Sequence, residues 1–552
     1  MNRITAITIG IVAACIFTIM ASVNLDSQGV YYDELHQAPA AFSYLGKHPT
    51  MFTKSFGGIP LLNLSYSGAI KSNLYGLYLR YVSPHFTVTS WRMIGITFVA
   101  IGLLAFYLIA GTEIPLTAAI VFGALFLSDV SILLMTRHDW GPNALSMCLR
   151  LVFLAMWIRL ALDDSEAGFK HFIAGAVVGL AIFEKLSAVV LLGPFLLLLL
   201  SAGKRNWRSW TLGALGLVAG SLPLLAVNAG TYWGHGRLIS LTELSGGRAL
   251  SQASNLLKRL SRYLELGQGS DVQSFILDKD PNPVWTHAEM ILLPAALLTI
   301  SIARYRLRSG SQLMLLANRM VGAYVTVYAL LLLLPRETKF YHLLLGSPFQ
   351  YAALALATPV FVQYVWQRSG KAAVCGVVFL AAGGALLANR LPNVTAVEAS
   401  LASGTSSPQF DPALTRLAEL AATHAQSAAF IAADWGTGAQ VYCMGDGQDD
   451  LIYEPFLDSD PGSMTREITV TTKKDALYVL VTGIAPKFAE SSRAILHVLM
   501  NSPAWQEVPI EKEFSNLNSI QIRKFARRTP QDPSVRIRNR RRSSPCPAGT
   551  RR

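Results

Sequence analysis

Apolar residues along this chain come in long unbroken runs, not at alternate or every third position. The runs cover 4–23, 91–111, 115–134, 143–161, 171–183, 186–202, 209–228, 286–303, 320–335, 341–365 and 372–389. Most are long enough to cross a bilayer, which takes about 20 apolar residues in a helix. The pattern predicts about 11 transmembrane helices. The pair 171–183 and 186–202 also reads as one long helix broken at Glu184-Lys185. Segment 60–82, PLLNLSYSGAIKSNLYGLYLRYV, mixes apolar residues with Tyr, Asn and Lys, and predicts a helix lying in the membrane interface. A twelfth span is the rival reading, against which Lys71, Asn73 and Arg80 count.

After about residue 390 the pattern changes. Residues 391–410 read as a linker. Asp411-Pro412 is a helix start, with the helix continuing through ALTRLAELAATHAQ. AAFIAADW (428–435), ALYVLVTGI (476–484) and SIQIRKF (519–525) read as strands, and KFAESSRAILHVLM (487–500) has helical spacing. The expected organisation is therefore a helical membrane domain over 1–390, the linker 391–410, a small soluble α/β domain over 411–525 and a disordered basic tail over 526–552.

Composition agrees. Of 552 residues, 52% are hydrophobic and only 15% charged, where a soluble domain carries about 25% charge. The net charge of +13 does not point to nucleic acid, because nine Arg against one Asp place +8 in the tail from Ala526 to Arg552. The five cysteines have no CxxC spacing, so neither a disulfide framework nor a zinc cluster is expected. Residues 3–23 follow Arg3 as a signal peptide would, but their apolar core exceeds the usual 7–15 residues, so they read as an uncleaved first span. With the N-terminus inside, the short loops KRNWR (204–208), RYRLRSGSQLMLLANR (304–319) and QRSGK (367–371) fall inside, rich in Arg and Lys and free of acids. The outer segments are then 24–90, 135–142, about 229–285, 336–340 and everything after about 390. The chain reads as an integral protein, in a bacterial inner membrane, with a cytoplasmic N-terminus and an extracytoplasmic C-terminal domain.

Four outer segments carry charges that suit chemistry at a membrane surface. YYDELHQAP (31–39) sets Asp33 beside Glu34 with His36 close behind; a partly desolvated carboxylate there can act as a base. MTRHDWGPN (135–143), read as a short loop, crowds Arg137, His138, Asp139 and Trp140 together. Glu184-Lys185 interrupts GLAIFEKLSAVVLL, where charges are costly and face a cavity, a partner or the surface. PRETKFYHLLLGSP (335–348) brings Arg336, Glu337, Lys339 and His342 to the start of a late span, where cations suit a phosphate. Each also has an ordinary reading: solvated loop acids, an interfacial Trp, a turn ion pair, lipid headgroup binding. No spacing among His36, His138, His342 and the acids argues for a metal. Together, the clustering of charge at one face favours chemistry on something anchored in the outer leaflet. A lipid-linked sugar transporter or flippase is the first alternative and would use deep charge such as Asp129; a non-catalytic protein with a partner-binding outer domain is the second.

At these residues the sequence resembles the GT-C type integral-membrane glycosyltransferases, in particular the dolichyl-phosphate-mannose protein mannosyltransferases and their bacterial relatives, which include lipid A aminoarabinose transferases. In that family an Asp-Glu followed by a His, here Asp33, Glu34 and His36, opens the first outer loop. An interfacial helix and an Arg at the start of span two follow, here 60–82 and Trp91-Arg92. A second loop with Arg and an acid matches Arg137 and Asp139, a Gly-rich helix ending in Lys matches Lys185, and KFYHLLLGSPF resembles the start of the late span. The family's His-Pro-Pro stretch is only His48-Pro49 here, and the loop 229–285 lacks the repeat domain of the eukaryotic enzymes. The resemblance implies a GT-C fold and transfer of a sugar, by inverting single displacement, from a polyprenyl-phosphate donor to a lipid, glycan or protein acceptor. It implies Asp33 as the base, and Glu34 and Asp139 as catalytic acids that shape the cleft or hold a divalent ion if one is used. Lys185, Arg137, Lys339 and Arg92 would bind the leaving phosphate, with His36, His138 and His342 also in contact with substrate. The partners it implies are that donor, the acceptor and the lipid bilayer, and not nucleic acid.

Overall fold

The computed structural model describes every residue except 49–52, 163–167, 202–206, 241–255, 308–309, 335–338, 368–369, 483–486, 516, 518–519 and 529–552. Arg336, Glu337, Pro49, parts of the three basic loops and nearly all of the expected basic tail lie outside the described residues. The chain divides into a helical unit, Met1–Glu419 with Ala439–Asp449, and a sheet unit made of Leu420–Gly438 and the chain from Asp450 on.

In chain order the helical unit contains α1 (Arg3–Ala21), α2 (Tyr32–Leu35), β1 (Lys54–Phe56), β2 (Ile59–Leu64), β3 (Ser67–Gly68), α3 (Ile70–Tyr81), α4 (Val88–Ala110), α5 (Leu116–Leu127), α6 (Val130–His138), α7 (Asn143–Leu162), α8 (Gly168–Glu184), α9 (Leu192–Ser201), α10 (Trp207–His235), α11 (Leu256–Leu264), α12 (Ser270–Leu277), α13 (Pro283–Tyr305), α14 (Gln312–Leu333), α15 (Phe340–Leu343), α16 (Ser347–Trp366) and α17 (Lys371–Ala402). Helix α18 (Pro412–Thr423) and the short α19 (Gly438–Met444) begin the C-terminal part. Each expected apolar run falls on helix. Among the described residues eight helices are long and apolar enough to cross a membrane, or nine if α5 and α6, bent by 61°, form one span. The runs 171–183 and 186–202 give the shorter α8 and a 3₁₀ turn, Leu186–Leu191, leading into α9.

Three stretches differ from their expected form. Residues 60–82 are helical only from Ile70; before that the chain makes a three-stranded antiparallel sheet, β1-β2-β3. The supposed loop 135–142 is helical up to His138, because Asp129 caps α6 by accepting the Ile132 N–H at 2.8 Å and restarts the helix after the bend. The stretch 391–402, expected as linker, continues α17.

Buried polar groups tie the helices together. Arg390 on α17 pairs with Glu289 on α13 and reaches the Tyr351 hydroxyl on α16 at 3.3 Å; that hydroxyl donates to Asp129. Asp129, the deep charge on which a transport reading depends, is thus a helix cap inside a set of protein partners. Gly267 is needed beside it: a Cβ there would sit 2.0 Å from an Arg390 nitrogen.

The sheet unit has strands β4 (Ala428–Ala432), β5 (Ile452–Tyr453), β6 (Ala476–Thr482), β7 (Trp505–Val508) and β8 (Ile520–Arg527), with α20 (Pro461–Thr471) and α21 (Ala489–Met500). Its order is β5-β4-β6-β8-β7. The first three strands are parallel, as the helical crossovers require, and β8 runs antiparallel to β6 and β7. The central strand β6, ALYVLVT, and its neighbour β4, AAFIA, are almost wholly apolar, as strands covered on two faces must be.

Candidate active site

Helices α1, α6 and α8 end, and α4 and α7 begin, around one short segment of the chain, residues 25–36. Two arginines fix that segment. Arg92, on the first turn and a half of α4, grips the Glu34 carboxylate through Nε at 2.6 Å and Nη2 at 2.9 Å, and donates to the carbonyls of Leu25, Gln28 (3.0 Å) and Gly29 (3.1 Å). Arg137, in the last turn of α6, donates to the carbonyls of Ala21 (3.1 Å), Val23 and Asn24 (2.6 Å), closing the C-terminal end of α1, and to Gln28 Oε1 at 2.7 Å. Both arginines are fully buried. Burial alone would raise the Glu34 pKa; the Arg92 guanidinium overrides it and holds that carboxyl at about 2.

Asp33, next in the chain, is only half-buried. Its Oδ2 accepts the Trp140 indole N–H at 2.8 Å. Trp140 stands among Tyr31, Phe275, Phe340 and Tyr341 at centroid distances of 5.0, 4.3, 5.4 and 5.3 Å, an aromatic wall on one side of the carboxylate. The Asp33 carbonyl accepts the Gly141 N–H at 3.3 Å and the His36 Nδ1–H at 2.5 Å. Burial lowers the His36 pKa first of all; Asp33 and Asp139 pull it up and Lys185 pushes it down, so all three charges are within electrostatic reach of the ring.

Lys185 owes its place to a break in secondary structure. Glu184 ends α8, Lys185 is extended (φ −145°, ψ 110°), and its backbone forms a bridge to Ser67 of β3, with the Leu186 N–H donating to Tyr66 at 3.0 Å. The charged pair interrupts the apolar run because the chain leaves the helix there to meet a strand. Lys185 Nζ donates to Asn143 Oδ1 and lies 4.9 Å from the Tyr341 ring centre. Asp139 turns the chain from α6 into α7 in a left-handed conformation (φ 42°), accepts the Ala144 N–H at 2.8 Å and pairs with Lys71 Nζ at 2.7 Å. Lys71 sits 3.9 Å from the Trp91 ring centre.

Asp33, His36, Trp140, Lys185 and Tyr341 thus surround one place. The remaining expected residues stand elsewhere or have other engagements. Arg92, Arg137, Glu34 and Asp139 hold protein groups. His138 packs on Phe410 at 4.7 Å, its Nδ1 3.8 Å from Glu34. Lys339 is exposed at the start of α15, and His342 Nδ1 accepts the Lys339 backbone N–H at 3.0 Å. Among the described residues no three His, Cys, Asp or Glu side chains group as a metal site.

Most of the chain superposes on two solved proteins. ArnT from Cupriavidus metallidurans matches at a TM-score of 0.55, with 12% identity over 93% of this chain and 97% of that one. The arabinofuranosyltransferase AftD from Mycobacteria matches at 0.50, with 14% identity over 95% of this chain and 40% of that one. The chain has the GT-C fold. No protein-family model matches it, and no curated protein matches it in sequence. It is an integral membrane protein, and the expected GT-C architecture of apolar helices with a C-terminal α/β part is present.

Sequence reasoning missed several members of this candidate site. Lys71 drew notice only as an obstacle to a twelfth span, Trp140 only as an interface anchor, and Asn143 and Tyr341 not at all. Arg150, buried in α7 and donating to the Ser146 carbonyl at 3.0 Å and to the Leu344 carbonyl, was visible as an Arg in the middle of an apolar run. Such a residue is a default pointer to a functional interior.

Proposed function

We propose that this chain is a membrane glycosyltransferase that takes a sugar from a polyprenyl-phosphate donor on the extracytoplasmic face of a bacterial inner membrane. The observation that carries the reading is the half-buried Asp33 carboxylate, held by Trp140 and by the arginine-fixed segment behind it, with the Lys185 ammonium close by. The acceptor hydroxyl oxygen attacks the anomeric carbon as its proton passes to Asp33. The bond from that carbon to the phosphate oxygen breaks, its electron pair leaves with the phosphate, and the configuration inverts. A phosphate leaves readily when donors offset its growing charge; Lys185 is placed for this, and exposed Lys339 can meet a headgroup. Glu34, Asp139, Arg92 and Arg137 are positioning residues, acting through the segment they hold. A solved form of ArnT is bound to undecaprenyl phosphate, matching this chain at a TM-score of 0.52 and 12% identity, which supports a donor lipid of that class. In this reading residues 1–390 carry the chemistry and 411–525 help recognise a lipid, glycan or protein acceptor.

The test uses purified protein in detergent with undecaprenyl-phosphate mannose and undecaprenyl-phosphate arabinose, each radiolabelled in the sugar. Wild type should release label from one of them. Asp33→Asn should lose about 10² to 10⁴-fold, the range for removal of a general base, with unfolding unchanged. Full activity in Asp33→Asn overturns the assignment of the base. A maleimide that labels Ser403→Cys only from the cytoplasmic side overturns the orientation.

A further inference from the structure

The His36 ring has one nitrogen whose role is settled and one whose role is open. Nδ1 lies 2.5 Å from the Asp33 carbonyl oxygen. A carbonyl oxygen can only accept, so Nδ1 carries the proton, and in the neutral ring Nε2 is then a bare lone pair. Burial, the largest influence on this ring, favours that neutral form. Nε2 itself is buried and has no hydrogen-bond partner among the described residues, and the whole residue is only 7% exposed. An acceptor left unsatisfied in the interior is costly, and native proteins rarely retain one without a use.

The space beside the ring has room for a methyl-sized group at Gly141. Gly141, with φ of +60°, borders it. A Cβ built there would meet nothing nearer than Lys185 Nζ at 3.7 Å and His36 Cε1 at 4.0 Å. Lys185 Nζ and His36 Cε1 therefore both face that space, and the Asp33 carbonyl holds Gly141 and His36 beside it. Whatever enters meets a cation on one side and a bare acceptor on the other, and a group matching Nε2 must be a donor.

We infer that His36 is a substrate-binding residue whose Nε2 accepts a hydrogen bond from a sugar hydroxyl beside the phosphate held by Lys185. The inference rests on the glycosyltransferase reading. The hydroxyl belongs to the donor sugar next to its anomeric carbon, or to the acceptor at a position other than the attacking hydroxyl, whose one proton goes to Asp33; the chemistry at Nε2 is the same. A site built to bond a hydroxyl discriminates strongly against substrates that lack it, because its own buried group is then stranded. His36 thus makes the enzyme selective for a hydroxylated sugar at this position.

Two conservative variants separate this role from a structural one. The Gln side chain places an acceptor near the position of Nε2, and the Asn side chain places a donor near that of Nδ1. With whichever of undecaprenyl-phosphate mannose or arabinose wild type turns over, His36→Gln should stay within about threefold in kcat/KM, while His36→Asn and His36→Ala lose about tenfold, about 1.4 kcal/mol. The loss should appear as a raised KM for the lipid if the donor's hydroxyl is the partner, and for the acceptor otherwise. Asn rescuing where Gln does not means that the ring serves only to hold the Asp33 carbonyl, and overturns the inference. A second measurement does not depend on turnover. In protein labelled with ¹⁵N-histidine, the His36 Nε2 resonance should be that of an unprotonated nitrogen and should move on addition of undecaprenyl-phosphate mannose or arabinose. A protonated Nε2, or a resonance that neither lipid alters at saturation because a resident water already occupies it, also overturns the inference. Absence of turnover in wild type bears instead on the glycosyltransferase reading, and leaves the tautomer result to decide the role of Nε2.

Discussion

The pairing of Arg92 with Glu34 makes an unequal prediction for its two members. Both side chains are fully buried and joined by two charge-assisted bonds of 2.6 and 2.9 Å. Removing Glu34 breaks a buried ion pair, which by itself costs about 3–5 kcal/mol. Arg92 keeps the carbonyls of Leu25, Gln28 and Gly29, so its charge is not left bare and the lower end applies, about 3 kcal/mol. Removing Arg92 strands the carboxylate and three carbonyls at once. At about 1 kcal/mol for each stranded carbonyl, Arg92→Met should be worse than Glu34→Ala by about 3 kcal/mol. The double variant should resemble Arg92→Met, because the carbonyls remain without donors even when the carboxylate is gone. Unfolding by dodecyl sulfate in mixed micelles, followed by tryptophan fluorescence, measures all three. Glu34→Ala being as damaging as Arg92→Met, or a double variant restored to near wild type, would refute the idea that Arg92 acts chiefly on the backbone.

Gly141→Ala has room for its methyl but forces a left-handed backbone on a residue with a Cβ, at a cost of about 1–2 kcal/mol; thermal unfolding should show it, Gly141→Asn should recover part, and an Ala variant as stable as wild type would count against the backbone argument. In the sheet unit Glu511 accepts from the Tyr478 hydroxyl at 2.8 Å and pairs with Lys524. Burial would raise its pKa, but Lys524 and Tyr478 together lower it. A carboxyl with a depressed folded-state pKa contributes stability above its unfolded value of about 4.3, which is lost as pH falls through the folded value. Hydrogen-exchange protection of β6 and β8 should therefore fall from pH 6 towards pH 3 in wild type, and start lower with a weaker pH dependence in Glu511→Gln.

The helices were legible because a bilayer leaves so few solutions: a long apolar run must satisfy its own backbone bonds. The sheet unit's β4, β6 and β8 were legible from apolar runs and β-branched residues, and Asp411 does cap α18, accepting the Ala413 N–H at 2.8 Å. What escaped were features set by contacts distant in sequence. Residues 59–68 form strands because β2 has β1 and β3 beside it and β3 finds the backbone of Lys185, more than a hundred residues on. The helix over 130–138 exists because Asp129 both caps it and meets Tyr351. Residues 391–402 remain helical although polar residues enter the sequence there, since Asn393 donates to the Gln268 carbonyl at 2.6 Å and Arg390 pairs with Glu289.

The candidate site shows why position alone cannot sort one cation from another. Arg92, Arg137 and Lys185 all stand where apolar runs meet their loops, and a sequence offers the same reason for each to face a phosphate. The difference lies in the donor geometry and in what the backbone leaves unpaired nearby. A guanidinium presents five N–H groups in a fixed fork. Placed at the C-terminal end of α1, where the last carbonyls have no helical partner, Arg137 is taken up by protein oxygens; placed against the non-helical segment 25–29, so is Arg92. Lys185 carries one compact ammonium on a flexible stem, and among the described residues its acceptor is the neutral Asn143 amide, with no carboxylate bonded to it. A charge held by one neutral oxygen retains capacity for an anion, whereas a fork closed on carbonyls and a carboxylate does not. On that ground the arginines build the segment that carries Asp33 and His36, and in the proposed reaction the lysine is the cation placed for the leaving phosphate.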